Sequence, residues 1–329
     1  MNRYRLVPVV VALVAASWGC AFDLDAQGIA ASGGFERQLA VSGPVTLEVR
    51  TGSGSIEIRR GADTEVRVIG RIRANRAWNN LSAQERVRLI ENNPPIVQNG
   101  NAIRIGEFAD RDLGRNISIS YQLMVPAATR VVSRTGSGSH RIDSLSGPVE
   151  AHTGSGSIHV GQIGGSVTAV SGSGSIDVLG ATQGLTATTG SGSVSAQNVT
   201  GSVDARSGSG RLTIAYAGAG GGSFSTGSGS IDVTGADGSL RAHAGSGSIR
   251  IDGRPSGDWS IETGSGGVSL RLPPDAAFDV SARTGSGSIQ TNHPIEVRGT
   301  FSRRQLEGRV RGGGPRLNVS ASSGSIRLD

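Results

Sequence analysis

Lysine is missing from this chain altogether, and cysteine occurs once, at Cys20. With a single cysteine no intramolecular disulfide can close. With no lysine there is no P-loop, which needs Gly-Lys-Ser/Thr to hold nucleotide phosphates. Aromatic residues are 4% of the total, which leaves no stacking platforms for single strands, and no nucleic acid is expected as a partner. The apolar run from Leu6 to Ala16 is too short to cross a bilayer as an ordinary helix, so no transmembrane span is expected. G-x-G-x-x-G and G-x-S-x-G are both absent, which removes the dinucleotide fingerprint and the nucleophile elbow.

What the chain has in abundance is glycine, 52 residues of it, much of it inside one motif. T-G-S-G-S-I stands at Thr153 to Ile158 and returns, whole or degenerate, at Thr51, Thr135, Ser171, Thr189, Ser207, Thr226, Ala244, Thr263, Thr284 and Ala321. From Thr135 to Thr284 the steps are 18, 18, 18, 18, 19, 18, 19 and 21 residues. A fixed period of this size marks a solenoid, one coil per repeat.

Aligned copies show columns. The sixth place of the motif is apolar (Ile56, Ile158, Ile176, Val194, Leu212, Ile231) except at His140, and the eighth is apolar as well (Ile58, Ile142, Val160, Val178, Ile214). The seventh place between them is polar, which is the period of a half-buried strand. A second strand precedes the motif, with Val149, Val167, Leu185 and Val203 four places before it and Ala151, Ala169, Ala187 and Ala205 two places before it. The expected fold is all-β, a parallel β-solenoid (β-helix) of about 18 residues per coil, with two strands and two Gly-rich corners in each. If the Val and Ala columns face inward, simple alternation also turns the Thr and first Ser inward and both glycines outward. The alternation must then slip near the second Gly, through a positive φ or a bulge. On that reading the glycines form a bare outer strip, and alanine at Gly172 and Gly190 should fold normally. His140→Val should be neutral or stabilising.

Residues 1–26 read as an export signal, with Arg3 and Arg5 ahead of the apolar run and a cleavage site near Cys20 or Ala26. Cys20 sits where a lipoprotein's acylated cysteine would, although Ser17-Trp18-Gly19 lacks the usual Leu; membrane attachment is expected only if Cys20 is lipidated. Residues 27–134 hold a first coil and an insertion with one short helix. There Ser82-Ala83-Gln84-Glu85 forms a capping box and Asn92-Asn93-Pro94-Pro95 a stop. This helix is expected to cover an open end of the solenoid. Residues 135–291 are the regular coils. Residues 292–329 are an Arg-rich, hairpin-like cap followed by a last coil.

The order of these pieces resembles a known family. The Ser-capped helix before N-N-P-P is followed by G-N-A-I-R-I and Y-Q-L-M-V-P, then by repeated T-G-S-G-S-I closing on S-S-G-S-I-R-L. In this the chain is similar to the bacterial putative-adhesin family of unknown function. The resemblance covers nearly the whole mature chain. It implies an exported, envelope-associated or secreted β-solenoid and brings no catalytic residues with it.

Function is carried only by the outer faces. The formal charge is +6, from 32 arginines against 26 acids, which favours anionic partners such as envelope glycans or glycolipids; self-association through the bare glycine strip is the other expectation. Arg141, His159 and Asp177 fall in the seventh-place column on consecutive coils and form a candidate binding ladder; His243, Glu262 and Arg283 suggest a similar one. Gly172 to Val178 bears some likeness to a calcium-roll repeat, but its Asp column is filled only at Asp177 and Asp232, so no metal or cofactor is expected. Glu150 and Asp204 share a column three coils apart, about 14 Å at sheet spacing, too far for a glycosidase pair. The expected role is non-catalytic: an exported repetitive surface serving adhesion or envelope structure, in the periplasm, on the outer envelope or secreted. The alternatives are a polysaccharide-active β-helix enzyme and an ice-like lattice binder, the latter requiring outward threonines.

Overall fold

The computed structural model describes residues 30–75, 82–108, 110 and 112–329. The export signal and Cys20 therefore lie outside the described residues. The chain opens with β1 (Ala31–Ala40), β2 (Thr46–Thr51), β3 (Ile56–Arg60), β4 (Glu65–Ala74) and α1 (Ala83–Asn92). Next come β5 (Ile96–Asn99), β6 (Ala102–Ile105), β7 (Ile117–Val125), β8 (Arg130–Thr135) and β9 (His140–Asp143). The following coils are pairs: β10 and β11 (Val149–Thr153, Ile158–Ile163), β12 and β13 (Val167–Ser171, Ile176–Ala181), and β14 and β15 (Leu185–Thr189, Val194–Val199). After them stand β16 and β17 (Val203–Ser207, Leu212–Tyr216), β18 and β19 (Gly222–Thr226, Ile231–Asp237), and β20 and β21 (Leu240–Ala244, Ile249–Arg254). The chain ends with β22 and β23 (Trp259–Ser265, Val268–Arg271), β24 and β25 (Phe278–Ser286, Ile289–Thr291), β26 (Ile295–Ser302), β27 (Gln305–Val310), β28 (Arg316–Ser323) and β29 (Ile326–Leu328).

The two strands of each coil go to two different sheets, and each pairs in parallel with its counterparts in the coils on either side. Val149 lies beside Val167 in one sheet and Ile158 beside Ile176 in the other, a register of one full repeat. The solenoid expectation holds. The sixth and eighth columns are buried from His140 to Leu270, as are the Val and Ala columns of the opposite sheet, and only at the outermost coil are Ile289 and Thr291 half-buried. A further inward column stands at the second corner, where Leu145, Ile163, Ala181 and Val199 are also buried. The bore keeps its width by exchange of volumes: where Gly222 replaces a Val, Phe224 replaces the neighbouring Ala and is 1% exposed.

The motif's parity differs from the expected one. Thr153 is buried, but Gly154 and Ser155 are both exposed and Gly156 is buried, and the same pattern holds at Thr135 to Gly138 and Ser207 to Gly210. The slip thus falls between the first Gly and the first Ser. It also uses no positive φ in these regular coils; among the motif glycines only Gly266, Gly287 and Gly324, near the C-terminal end, have one. Glycine is needed here for close approach instead. A Cβ on Gly156 would collide with the carbonyl of Gly138 one coil back, and one on Gly174 with that of Gly156. The first glycines are confined in the same way, Gly172 by Gly154 and Gly190 by Gly172. Alanine at those two positions therefore cannot fold without displacing a coil.

The ends of the stack break sequence order. The coil β6–β7 follows β2–β3 in the chain but lies outside it, so that β2 is flanked by β6 and β8, and β3 by β7 and β9. At the other end β28 lies between β22 and β24, and β29 between β23 and β25. The last coil is therefore an inner one, and the antiparallel β26–β27 hairpin forms the outer edge beyond β24. Helix α1 has its expected capping box: Ser82 N–H donates to Glu85 Oε2 (2.8 Å), and Glu85 N–H donates to Ser82 Oγ (3.2 Å). It packs on β1 and β4, the outermost strands of their sheet, and buries Ala83, Val87 and Ile90.

These contacts set the expected stability of three variants. Ile176, 0% exposed in mid-stack, should cost about 2–5 kcal/mol when cut to alanine. Gly172→Ala should cost about 1–3 kcal/mol or more through overpacking. Gly52→Ala, where an added Cβ meets nothing within 4 Å, should stay within about 0.5 kcal/mol of the parent. Urea unfolding of the three variants checks all of this; equal effects at Gly52 and Gly172 would refute the close-approach account.

Candidate functional site

Inward columns are consumed by packing, so chemistry with other molecules falls to the outward ones. On the sheet that carries β11 these are the seventh and ninth places of the motif. Arg141, His159 and Asp177 are neighbours across β9, β11 and β13, as the repeat spacing implies. His159 Nδ1 stands 3.2 Å from Asp177 Oδ2, with both side chains half-exposed. Glu57 continues the column beyond Arg141, but it is taken by Arg59 (2.5 Å) and by Gln122 Nε2 (3.2 Å). Among the described residues Arg141 makes no ion pair.

The ninth place turns this column into a groove. It runs Arg59, Asp143, Gly161, Leu179, Gln197, and the missing side chain at Gly161 leaves a dent of about 440 Å³ bordered by the ladder residues. Gly161 lies inside β11 rather than at a corner, as a Cβ there would strike the Asp143 carboxylate. That carboxylate lies over the strand and accepts the Gln162 N–H at 3.1 Å. Leu179, 54% exposed, forms an apolar rim. Arg59, Asp143, Leu179 and Gln197 were not singled out by the sequence pattern; following the alternation one further outward place would have found them.

The opposite sheet carries a second charged row. Glu48 bonds Arg50 (2.5 Å), Arg134 spans Glu48 (3.6 Å) and Glu150 (3.0 Å), and His152 Nε2 lies 2.8 Å from Glu150. Burial pushes the Glu150 carboxyl up, but His152 and Arg134 together outweigh it and hold the group below the usual carboxylate range. The other suggested ladder is not continuous. His243 faces Glu262 (3.6 Å), but Ser320 of the interposed β28 separates Glu262 from Arg283, which pairs with Glu307 at 2.8 Å. The outer corner strip is not bare either, because the first serines (Ser155, Ser173, Ser191, Ser209) face solvent along it.

His140 is the one motif residue whose polar side chain enters the bore at the sixth place. It is fully buried; its Nδ1 lies 2.9 Å from Ser133 Oγ and its Nε2 2.9 Å from the His152 carbonyl. A carbonyl can only accept, so Nε2 carries the proton and Nδ1 accepts from the serine. Burial lowers the pKa of this imidazole, overriding the His152 carbonyl, which favours the proton. It is a structural residue with its own partner, Ser133 standing where the regular coils have Ala.

These features define a class: a repetitive β-solenoid of two long parallel sheets with outward polar columns. A family model, Toastrack DUF4097, matches residues 164–329. The chain belongs to that family, one of unknown function. No curated protein matches the chain. Among solved structures, a putative cell adhesion protein from Clostridium sporogenes is similar over 90% of this chain and 99% of that one, with 11% identity and a TM-score of 0.18. That likeness is too distant to carry an argument.

The His140 pair gives a test. Against the expectation that an apolar residue at 140 would be neutral or stabilising, His140→Ile or His140→Val alone should destabilise by about 1–3 kcal/mol, since the buried Ser133 hydroxyl loses its partner. Adding Ser133→Ala, which rebuilds the ordinary Ile and Ala columns, should recover most of that. The folded pKa lies below the usual histidine value, so the unfolded chain binds the proton more readily. The parent's stability is thus full above about pH 6.5 and falls as the pH drops below it. The double variant should show a shallower decline between pH 7 and 5 in thermal melts; parallel pH profiles would refute the assignment.

Proposed function

We propose that this protein is a non-catalytic, exported β-solenoid that binds anionic envelope glycans or glycolipids through the groove between Arg141 and Leu179. The observation that carries the reading is an uncompensated guanidinium, Arg141, at the edge of a solvent-facing dent whose other charges are engaged. Arginine suits this role because its planar fork meets carboxylate and phosphate oxygens two at a time. Leu179 adds an apolar rim against which a sugar ring's C–H face can rest.

A catalytic reading is disfavoured by order within the column. Asp177 lies between His159 and Ser195, whereas acyl-transfer triads need the histidine in the middle. Serine and histidine are thus two strand spacings apart, roughly 9–10 Å. Glu150 and Asp204 are separated by Thr168 and Thr186, three coils in all. The lattice-binding reading required outward threonines. Here Thr153 and Thr189 are buried, and their hydroxyls are spent on the backbone.

Co-sedimentation with purified lipopolysaccharide and with an acidic polysaccharide checks the proposal. Arg141→Ala should weaken binding about tenfold, as expected for a charge-assisted hydrogen bond, and binding should fall with added salt. Arg271→Ala, on the same sheet but far from the groove, should change little. Equal effects of the two substitutions, or binding indifferent to both, would reject the groove.

A further inference from the structure

The sheet opposite to the groove has a dent of its own, about 530 Å³, where β18, β20, β22 and β28 lie side by side. The outward places that border it read Ser223, Arg241, Ser260 and Asn318, one from each strand and in register. The hollow lies where short serine side chains flank a long arginine, and Arg241, Ser260 and Asn318 are all exposed.

Charge balance singles this arginine out. On the same sheet Arg50 and Arg134 reach Glu48, Arg206 reaches Asp204 and Arg283 reaches Glu307. Neighbours of opposite sign are the ordinary way to settle such a face. Arg241 has serines at both cross-strand positions, and among the described residues its side chain makes no ion pair or hydrogen bond. The carboxylates around it are engaged elsewhere. Glu262 faces His243 at 3.6 Å, and Asp258 Oδ1 accepts the Arg316 N–H at 2.9 Å, on the β28 side of β22.

We propose that Arg241 is a second anion site, taking a phosphate or sulfate group of an anionic polymer, and that the molecule thereby bridges two such polymers. The flanking groups select a tetrahedral oxyanion. A carboxylate has two oxygens, and the guanidinium fork uses both. A phosphate or sulfate keeps an oxygen for the hydroxyl of Ser223 or Ser260, on strands about 4.8 Å to either side. An uncharged ligand would leave the guanidinium uncompensated. Bridging follows from position. Arg141 lies on β9 and faces out from one sheet; Arg241 lies on β20 and faces out from the other, six coils or about 29 Å further along the stack. One short segment cannot reach both. The bridging rests on the groove reading, whereas the site at Arg241 stands without it.

An NMR titration of the full chain, followed at the arginine Nε–H signals, tests the site. Tripolyphosphate and a sulfated disaccharide supply the same tetrahedral group from two sources, and digalacturonate is the carboxylate comparison. The Arg241 signal should move and saturate with both tetrahedral probes, and more weakly with digalacturonate. Ser223→Ala with Ser260→Ala should weaken that saturation about fivefold, one hydrogen bond's worth. Arg304, exposed at the tip of the β26–β27 hairpin, should not saturate. Long dextran sulfate should cloud a solution of the parent, while Arg241→Gln and Arg141→Ala should each stay clear with an unchanged thermal midpoint. A failed groove would show as an unmoved Arg141 signal with Arg241 still saturating, so the two readings fail separately. An unmoved Arg241 signal, an equal response at Arg304, digalacturonate bound as tightly, or clouding that survives Arg241→Gln would overturn the proposal.

Discussion

One hydroxyl bridge, repeated up the stack, governs this structure. Thr153 Oγ1 accepts the N–H of Gly156 in its own coil (3.0 Å) and donates to the carbonyl of Gly138 one coil back (2.9 Å). Ser171, Thr189, Ser207 and Thr226 repeat the arrangement. The corner turns the backbone away from its neighbours, and without the hydroxyl these buried amides and carbonyls would lack partners. Successive corners are in backbone contact, so no Cβ fits at the second Gly, and this holds even at Gly247, where Ala244 supplies no hydroxyl. The threonine faces inward and the two residues after it face out. The regular spacing and the recurring glycines therefore share one cause.

The same bridge makes the bore narrow and uniform, and the exceptions inside it come in compensated pairs. Phe224 is accommodated because Gly222 gives up the neighbouring volume, and His140 because Ser133 supplies a hydroxyl where the other coils have a methyl. Gly222 and Phe224 are successive inward places of one strand, whereas Ser133 and His140 meet across the bore from opposite sheets, so neither partner explains itself when read alone.

Much of this fold was legible in the sequence because the repeat averages out local ambiguity. The inward columns, the capping box and the hairpin before the last coil all come from residues close together in the chain. The parity of T-G-S-G-S was not legible, since an inward Ser or an inward second Gly are both compatible with the flanking columns. What decides between them is a contact between Gly156 and Gly138, one coil apart. The ladder Arg141, His159, Asp177 could be read from the period, whereas the groove could not, because it arises from an absent side chain at Gly161. The false ladder through Arg283 failed for another reason: it assumed that coils stack in the order in which they are made.

That assumption fails at both ends, and the failure bears on which strands form the edges of the two sheets. A coil with the common pattern can pair with any other coil, so a stack that ended on one would offer a template for further copies. Here the first and last motif-bearing coils, β2–β3 and β28–β29, are each enclosed by parallel neighbours on both sides. Three of the four sheet edges go to elements that do not repeat the pattern, and the fourth, β25, belongs to the motif-bearing coil β24–β25. The three are the antiparallel β1 beside β4, the short β5 beside β6 and the β26–β27 hairpin beside β24. Strand β25, the remaining edge, is only three residues long. Antiparallel or very short edges cannot continue a parallel register of one repeat. End-to-end growth is therefore disfavoured.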